Sequence, residues 1–369
     1  MEDRKLTVRA DGKPVYDIMI EDSFMMLPLA LQQFEIHKKK LCIVTDSTVA
    51  EYYLDSAFRL LQPLCASLKI FMFQAGEASK NLNTVSRLYE FLIRNHFDRK
   101  DILIALGGGV TGDLTGFAAS TYLRGIDFIQ VPTSLLAQVD SSIGGKTGVD
   151  FQDHKNMVGA FYMPRLVYIN TSTLATLSER EFHSGLGEVI KHGLIRDRNY
   201  YDWILENRDE IAARDPETLA EMVAGSCRIK REVVEEDPRE EGIRAVLNFG
   251  HTLGHAIEKL SGFSLTHGEC VGIGCRLAGG LSARRGLITE EDYRQIEDLF
   301  DGFSFPPMPE DLRAEDIIEE THHDKKMEHG KIRFILLDGI GHAAIYKDVT
   351  DEDLASLLAD DRNDGKDDQ

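Results

Sequence analysis

The first half of the chain alternates short apolar segments with stretches of helical periodicity. The apolar segments occupy residues 41–45, 70–73, 102–106 and 128–131. Within residues 84–95, Leu88, Phe91 and Leu92 recur at helical spacing. Buried strands that alternate with helices are typical of a parallel sheet with helices on both faces. We therefore expect an α/β domain with a doubly wound parallel sheet.

The pattern changes near residue 177. The remaining chain favours helices at 182–195, 216–235, 248–260 and 270–284, with a strand signal at 332–337. A length of 369 residues fits two domains, and the cleft between two domains is the default place for a site. We predict an α/β domain over residues 1–177 and a mostly α-helical domain over residues 178–369, whose acidic tail is disordered from about residue 360.

Charge and composition exclude several classes of protein. The chain has 62 acidic and 42 basic residues, a formal net charge of −20, so neither a nucleic acid nor an anionic membrane is an expected partner. No apolar run approaches the roughly 20 residues that a spanning helix needs, and the polar N-terminus has no signal-peptide core. Five cysteines without a CxxC pair are typical of reduced thiols in a cytoplasmic protein.

A glycine-rich turn follows the third apolar segment. Gly107, Gly109 and Gly112 match the spacing GxGxxG between a predicted strand and a predicted helix. Such a turn brings backbone N–H groups and a helix N-terminus close to a pyrophosphate. The acidic residue expected about 20 positions later is at best Asp127, which precedes a strand instead of ending one. The motif alone therefore indicates either a dinucleotide site or a tight strand–helix turn.

Histidines cluster in the predicted helical domain. His251 and His255 stand at i and i+4 on one helix face, which suits a divalent metal such as zinc or a hydrogen-bonded buried pair. The segment is not a metalloprotease HExxH motif, since Thr252 and Leu253 stand in place of the needed glutamate. His267 precedes a further helix, where its own pattern favours a helix-capping role.

Charged residues interrupt two other segments. Glu188 and Lys191 lie at i and i+3 in an otherwise apolar helix. This pattern allows a surface ion pair or, given the apolar flanks, a buried carboxylate that pairs with Lys191 or a metal. Lys146 follows two glycines, but the first glycine of a P-loop is missing, which excludes an NTPase. Its ammonium beside open backbone suits a phosphate or a carboxylate.

Taken together and in order, these segments resemble the 3-dehydroquinate synthase family of sugar-phosphate cyclases. The resemblance covers about residues 40–345 and rests on GGGVTGD, YLRG, PTSLLAQVDSSIGGKTGV, KNMVGAF, EREFHSGLGEVIKHGLI, RAVLNFGHTLGHAIE, HGECVGIG and HDKK. It implies an N-terminal Rossmann-like domain that binds NAD and a helical domain that binds a divalent metal, Zn2+ or Co2+. Gly187, which is commonly alanine in the family, is a conservative departure.

The resemblance also implies roles for individual residues. The implied metal ligands are Glu188, His251 and His267, which leaves His255 for acid–base chemistry or phosphate contact. The implied catalytic residues are Lys146, Glu188, His255, Asn248, Arg244, Lys230 and Asp140. The implied substrate-binding residues are Arg124, Lys146, Asn156, Lys191, Lys230, Arg244, Asn248, His255 and one of Lys325 and Lys326. The implied NAD-binding residues are Asp46, Glu77, Lys80, Gly108, Gly109, Val110, Asp113, Thr133, Ser134, Lys146, Lys155, Thr173 and Thr176.

The implied substrate is 3-deoxy-D-arabino-heptulosonate 7-phosphate. Transient oxidation by NAD, β-elimination of phosphate, reduction, ring opening and an intramolecular aldol step would convert it to 3-dehydroquinate in the shikimate pathway. The family implies a cytoplasmic homodimer in which Arg124 reaches the neighbouring subunit. Three alternatives stay open: another sugar-phosphate cyclase, a metal-dependent alcohol dehydrogenase and an inactive homologue. Arg244, Lys230 and Asn248 favour a carboxylate substrate, and the intact metal ligands argue against an inactive homologue.

Overall fold

A computed structural model describes residues 4–152, 154–240, 242–262, 264–322, 327–328 and 331–364 of the chain. The chain divides into two compact units. Unit 1 comprises residues 1–177 and 219–239, and unit 2 comprises residues 178–218 and 240–369. Residues 219–239 therefore belong with the N-terminal half of the chain, whereas the sequence pattern assigned them to a continuous second domain.

The described strands lie mostly in unit 1. In chain order they are β1 (Lys5–Ala10), β2 (Lys13–Glu21), β3 (Lys40–Asp46), β4 (Ser67–Phe73), β5 (Ile102–Gly107), β6 (Asp127–Pro132), β7 (Lys146–Phe151), β8 (His154–Phe161), β9 (Leu166–Asn170), β10 (Met327–Glu328), β11 (Lys331–Ile332), β12 (Phe334–Leu337) and β13 (Ala343–Tyr346). Among the described residues, seven strands form one sheet in the order β1-β2-β9-β6-β5-β3-β4. β1 runs antiparallel to β2, and the other neighbours in this sheet are parallel. The predicted parallel α/β sheet is confirmed.

Burial explains which strands the sequence revealed. The four predicted apolar segments are β3, β4, β5 and β6, and every residue of β5 is buried. A strand covered on both faces has a continuous apolar sequence. In β1 and β2, buried residues alternate with partly exposed ones, so their apolar signal is diluted. These two strands were not predicted. β9 was not predicted either, although all five of its residues are buried, so burial alone does not account for that omission.

The described helices cover the sheet of unit 1 and build most of unit 2. In chain order they are α1 (Leu27–Gln32), α2 (Ser47–Val49), α3 (Asp55–Leu61), α4 (Leu82–Arg94), α5 (Gly109–Thr121), α6 (Glu179–Arg196), α7 (Arg198–Glu206), α8 (Arg208–Ala212), α9 (Pro216–Glu236), α10 (His251–Leu260), α11 (His267–Arg284), α12 (Glu290–Gly302), α13 (Ala314–Thr321) and α14 (Asp351–Asp364). Most of α9 belongs to unit 1. The predicted helical character of the C-terminal region is confirmed.

The core of unit 1 lies on both faces of the sheet. Cys42 and Val44 of β3 pack with α4 and α5 on one face, and Leu41 and Ile43 pack with α1 and α3 on the other. Successive side chains of a strand point to opposite faces, so one apolar strand serves two cores. This arrangement fixes the loops at the ends of the central strands.

In unit 2, the central helix is α11, which is buried along most of its length and contacts α6, α10 and α12. α14 reaches residue 364, so helix occupies residues 360–364 where disorder was predicted, and residues 365–369 lie outside the described residues. Among the described helices of either unit, none has the length and apolar character needed to cross a bilayer.

Candidate metal centre and cofactor site

Three helices of unit 2 meet backbone to backbone through glycines. A Cβ atom on Gly187 of α6 would lie 2.5 Å from the carbonyl oxygen of Gly268 in α11. A Cβ atom on Gly254 of α10 would lie 2.7 Å from the carbonyl oxygen of Cys270 in α11. Real Cβ atoms essentially never come closer than 3.0 Å to such an atom, so larger residues would push these helices apart. Two of the candidate metal ligands, Glu188 and His267, lie next to the first of these contacts in sequence.

The carboxylate of Glu188 lies at the centre of a buried polar cluster on α6, α10 and α11. Its side chain is fully buried. Oε1 lies 3.4 Å from Nε2 of His251 and 3.6 Å from Nε2 of His267. Oε2 accepts a hydrogen bond from Nζ of Lys191, whose side chain is 1% exposed. Glu188 and Lys191 therefore form a buried pair and not the surface ion pair that their spacing also allowed.

The donor atoms of this cluster fit a tetrahedral metal site. One carboxylate oxygen and two imidazole nitrogens are a ligand set of catalytic zinc sites. Bonds of about 2.0–2.1 Å place tetrahedral donors roughly 3.4 Å apart. The separations of 3.4 and 3.6 Å between Glu188 Oε1 and the two Nε2 atoms match this spacing. Glu188, His251 and His267 therefore fit the divalent metal that the resemblance implies.

His255 belongs to the same cluster. Ring nitrogens of His251, His255 and His267 lie within 4.8 Å of one another. The His255 ring centroid is 5.0 Å from that of His251 and 5.7 Å from that of His267. Geometry alone thus permits His255 as an alternative ligand. Its assignment to acid–base chemistry or phosphate contact stays a prediction.

The second ring nitrogen of each of the candidate ligands His251 and His267 has an acceptor beside it. Nδ1 of His251 lies 3.2 Å from the carbonyl oxygen of Phe249, and Nδ1 of His267 lies 3.2 Å from Oε2 of Glu258. Burial disfavours the charged form of His267, but Glu188 and Glu258 outweigh it and raise its pKa to about 9. Sequence reasoning missed Glu258, although it follows His251 by seven residues, two helical turns, on the same face of α10.

Two further predicted residues of unit 2 lie in a 3-10 helix, Ile243–Asn248, just before α10. The Arg244 side chain is buried, at 1% exposure. Nδ2 of Asn248 donates a hydrogen bond to Oε1 of Glu240 at 3.1 Å. A buried guanidinium requires acceptors or an anion beside it, so Arg244 is suited to an anionic ligand. The predicted Lys325 and Lys326 lie outside the described residues.

Most predicted NAD-binding residues of unit 1 follow the carboxyl ends of parallel strands. They are Asp46 at the end of β3, Glu77 and Lys80 after β4, Gly108, Gly109, Val110 and Asp113 after β5, Thr133 and Ser134 after β6, and Thr173 and Thr176 after β9. This edge is where α/β sheets bind nucleotides. The glycine motif has the required strand–turn–helix context, and a Cβ atom on Gly112 would lie 2.7 Å from Oε1 of Gln130.

Lys80 organises a buried network in this region. Its Nζ donates to Oδ2 of Asp113 at 2.7 Å and to Oδ1 of Asn156 at 2.6 Å. Burial opposes the charge on Lys80, but the carboxylates of Asp113 and Glu77 outweigh it and hold the pKa of the ammonium above its usual value. Asn156, which the resemblance assigns to the substrate, is therefore held by a residue assigned to NAD.

A second ion pair of unit 1 joins Asp140 to Lys230. Nζ of Lys230 donates to a carboxylate oxygen of Asp140 and also to its backbone carbonyl oxygen at 2.6 Å. Lys230 lies on α9, in the segment that belongs with the N-terminal residues. Asp140 thereby fixes the position of a cation that the resemblance assigns to the substrate.

The remaining predicted residues of unit 1 differ in exposure. Arg124, Lys146 and Lys155 are exposed, and Arg124 has a left-handed backbone with φ of 68°. Thr173 is fully buried, and its hydroxyl accepts a hydrogen bond from Nε2 of Gln138 at 3.0 Å. The exposed cations are accessible to anions, whereas the Thr173 hydroxyl contributes to the packing of the loop.

Two family models match most of the chain. The model described as "3-dehydroquinate synthase N-terminal" matches residues 70–184, and the one described as "3-dehydroquinate synthase C-terminal" matches residues 185–327. A curated 3-dehydroquinate synthase of Desulforamulus reducens is 44% identical over 323 residues, which cover 87% of this chain and 90% of the relative.

Solved structures of sugar-phosphate cyclases share the fold. A 2-epi-5-epi-valiolone synthase from Streptomyces hygroscopicus subsp. jinggangensis, solved with NAD+ and Zn2+, has a TM-score of 0.88 at 26% identity and covers 97% of this chain and 100% of its own. A 2-deoxy-scyllo-inosose synthase, solved with carbaglucose-6-phosphate, NAD+ and Co2+, has a TM-score of 0.85 at 26% identity, with coverages of 96% and 99%. With its family models and its curated relatives in agreement, this chain belongs to the 3-dehydroquinate synthase family.

Proposed function

We propose that this chain converts 3-deoxy-D-arabino-heptulosonate 7-phosphate to 3-dehydroquinate and phosphate, as a carbon–oxygen lyase. The observation that carries the proposal is the convergence of Glu188 Oε1 with Nε2 of His251 and of His267, in a chain 44% identical to a 3-dehydroquinate synthase. When bound, NAD supplies a hydride acceptor and donor, and Zn2+ or Co2+ supplies a Lewis acid for substrate oxygens.

The polar cluster of unit 2 supplies metal ligands and a proton carrier. Glu188, His251 and His267 would hold the metal, which would supply a Lewis acid for substrate oxygens. Nζ of Lys191 donates to the second oxygen of Glu188 and so compensates the charge of this fully buried carboxylate. His255 lies beside both histidine ligands, where its imidazole can take up and return a proton near the substrate.

The substrate carries a carboxylate and a phosphate, and we assign cations to both. Lys146, Lys230 and Arg244 bind the carboxylate and hydroxyl groups, and Asp140 fixes Lys230. The assigned phosphate contacts are Asn156, Lys191, Asn248, His255 and one of Lys325 and Lys326. Cations held in place by protein partners orient an anion and stabilise negative charge as it develops on the reacting atoms.

The carboxyl edge of the sheet in unit 1 is assigned to NAD. Backbone N–H groups of Gly108, Gly109 and Val110 at the start of α5 suit the pyrophosphate. Asp46, Glu77 and the Lys80–Asp113 pair supply charged groups for the riboses. The further assigned contacts are Thr133, Ser134, Lys146, Lys155, Thr173 and Thr176.

Other sugar-phosphate cyclases are the second candidate, because two of them share the fold at 26% identity. The buried guanidinium of Arg244 favours a substrate that carries a carboxylate, since a fork of N–H donors matches two carboxylate oxygens. A metal-dependent alcohol dehydrogenase would accumulate NADH, whereas a cyclase returns the hydride. The homodimer and the cytoplasmic location stay predictions.

Phosphate release tests this proposal. The full chain is incubated with NAD, Zn2+ and the heptulosonate phosphate, with a heptulose phosphate that lacks the acid group as the competing substrate. We expect rapid release from the acid, slow release from its analogue and loss of release in a chelator. Glu188→Gln should be inactive, whereas Glu297→Gln, which removes an ion pair with Arg276, should retain activity. Preference for the analogue would contradict the assignment.

A further inference from the structure

Glu258 contacts His267 through the ring nitrogen that does not face Glu188. Oε2 of Glu258 lies 3.2 Å from Nδ1 of His267, while Nε2 of the same ring lies 3.6 Å from Oε1 of Glu188. The Glu258 residue is only 6% exposed. A hydrogen bond to a carboxylate is stronger than one between neutral groups, and burial strengthens it further.

This contact determines which nitrogen of His267 keeps its proton when the ring is neutral, as it is when it binds a metal. An ionised carboxylate can only accept, so Nδ1 is the donor toward Glu258. In the neutral imidazole the other nitrogen, Nε2, then presents its lone pair. Nε2 is the atom that faces Glu188 Oε1, so the hydrogen bond directs the lone pair into the candidate metal centre.

The two histidine ligands differ in what lies behind them. Nδ1 of His251 faces the neutral backbone carbonyl of Phe249 at 3.2 Å, whereas Nδ1 of His267 faces a carboxylate at the same distance. A carboxylate behind an imidazole raises the basicity of the ligand and fixes its ring. The partner of His267 is also a side chain, so it can be replaced without changing the backbone.

We propose that Glu258 is a positioning residue that fixes the tautomer and ring orientation of His267 and strengthens it as a metal ligand. The inference rests on the metal site of the proposed function, but it holds for whichever substrate the protein converts. A carboxylate that only stabilised the helices would affect unfolding without changing the coordination of a bound metal.

Metal affinity and metal spectroscopy separate these two roles. The full chain is stripped of metal, and Zn2+ binding is measured by competition with a chromophoric chelator, without NAD or substrate. Visible absorption of the Co2+ form reports the ligand field. Glu258→Ala removes the acceptor, and Glu258→Gln keeps an oxygen without its charge. Glu297→Gln is the matched control, because Glu297 pairs at 2.6 Å with Arg276 of α11, the helix that begins at His267.

We expect Glu258→Ala to weaken Zn2+ binding by about 10–100-fold and to shift the Co2+ bands. Glu258→Gln should fall between Glu258→Ala and the unmodified chain, and Glu297→Gln should match the unmodified chain. Unchanged Zn2+ affinity and an unchanged Co2+ spectrum in Glu258→Gln would overturn the inference. If Glu258→Ala fails to fold, the isosteric Glu258→Gln variant decides the question by itself. If the Zn2+ affinity depends on Glu258 but the unmodified chain releases no phosphate, the result would contradict the proposed function and support this inference.

Discussion

Gly187 of α6 and Gly268 of α11 are in backbone contact, and a Cβ atom on Gly187 would lie 2.5 Å from the carbonyl oxygen of Gly268. Glu188 follows the first glycine, and His267 precedes the second. The separation of 3.6 Å between Glu188 Oε1 and His267 Nε2 therefore depends on how closely these two helices approach. The glycines set the dimensions of the candidate metal centre from outside it.

Alanine at position 268 tests this dependence. Gly268→Ala would place a Cβ atom 1.8 Å from the carbonyl oxygen of Ser184 in α6, so it should force α6 and α11 apart, at a net cost of about 1–3 kcal/mol, and should weaken Zn2+ binding. Gly279→Ala in α11 is the control, because the nearest described atom to its Cβ, Cδ1 of Ile296, lies 3.4 Å away. Thermal unfolding and Zn2+ titration of both variants check this. Equal behaviour of the two variants would contradict it.

The ligand set can be tested by zinc content. His251→Ala and His267→Ala should each lose the metal after dialysis, because each removes a donor beside Glu188 Oε1. His255→Ala should keep its zinc and lose activity, since we assign His255 to proton transfer. Elemental analysis of the dialysed proteins measures this. Full zinc in His267→Ala, or its loss in His255→Ala, would replace the proposed ligand set with another.

Lys191 and the metal are both expected to balance the negative charge of Glu188, so the loss of one should increase the effect of the other. Lys191→Met should destabilise the metal-free protein by about 1–3 kcal/mol, because it removes the ammonium partner of the buried Glu188 and leaves that carboxylate to the neighbouring histidines. Zn2+ supplies a further counter-charge, so it should raise the unfolding temperature more in this variant than in the unmodified chain. Calorimetry with and without Zn2+ checks both parts. A metal-free variant as stable as the unmodified chain would refute the buried pair.

The Lys80–Asp113 pair is expected to support NAD binding and stability together. Lys80→Met should weaken NAD binding by about tenfold or more, since one lost charged hydrogen bond costs roughly 1.5–3 kcal/mol. The folded pKa of Lys80 is raised, so the pair stabilises fully below about pH 10.4 and is lost as pH rises through the higher folded value. Lys5→Met, at an exposed pair with Asp17, is the control. NAD titration and unfolding at pH 9 and 11 measure the effect; identical curves for the two variants would contradict it.

The elements that could be predicted from the sequence are mainly those whose buried residues form a continuous apolar run or a long helical pattern. β3, β5 and β6 are almost entirely buried and contain apolar runs, and the second half of the edge strand β4 is also apolar. The buried helix α11 of unit 2 likewise has a long apolar pattern. β1, at the sheet edge, and β2, beside it, have mixed sequences and were missed, and the fully buried β9 was missed as well. The place of α9 with unit 1 was also missed, because helical periodicity does not reveal which unit a helix packs in.

The candidate site was only partly predictable, because its residues come from helices that are far apart in the sequence. The spacing of His251 and His255 placed both on one helix face but could not choose between them. His267 and Glu188 lie 79 positions apart in the sequence. They come together because glycines of α6 and α11 let these two helices pack backbone to backbone. Glu258 shares a face with His251, yet a lone glutamate in a helix carries no signal until its partner is known.

Turnover per molecule of NAD decides whether the cofactor is reduced and reoxidised within one catalytic cycle. The Zn2+-loaded chain is given excess heptulosonate phosphate and far less NAD, while 3-dehydroquinate, phosphate and NADH absorbance are followed. We predict equal amounts of 3-dehydroquinate and phosphate, many turnovers per NAD and no net NADH. Accumulation of NADH in step with substrate consumption, or no product with both cofactors present, would contradict the proposed reaction.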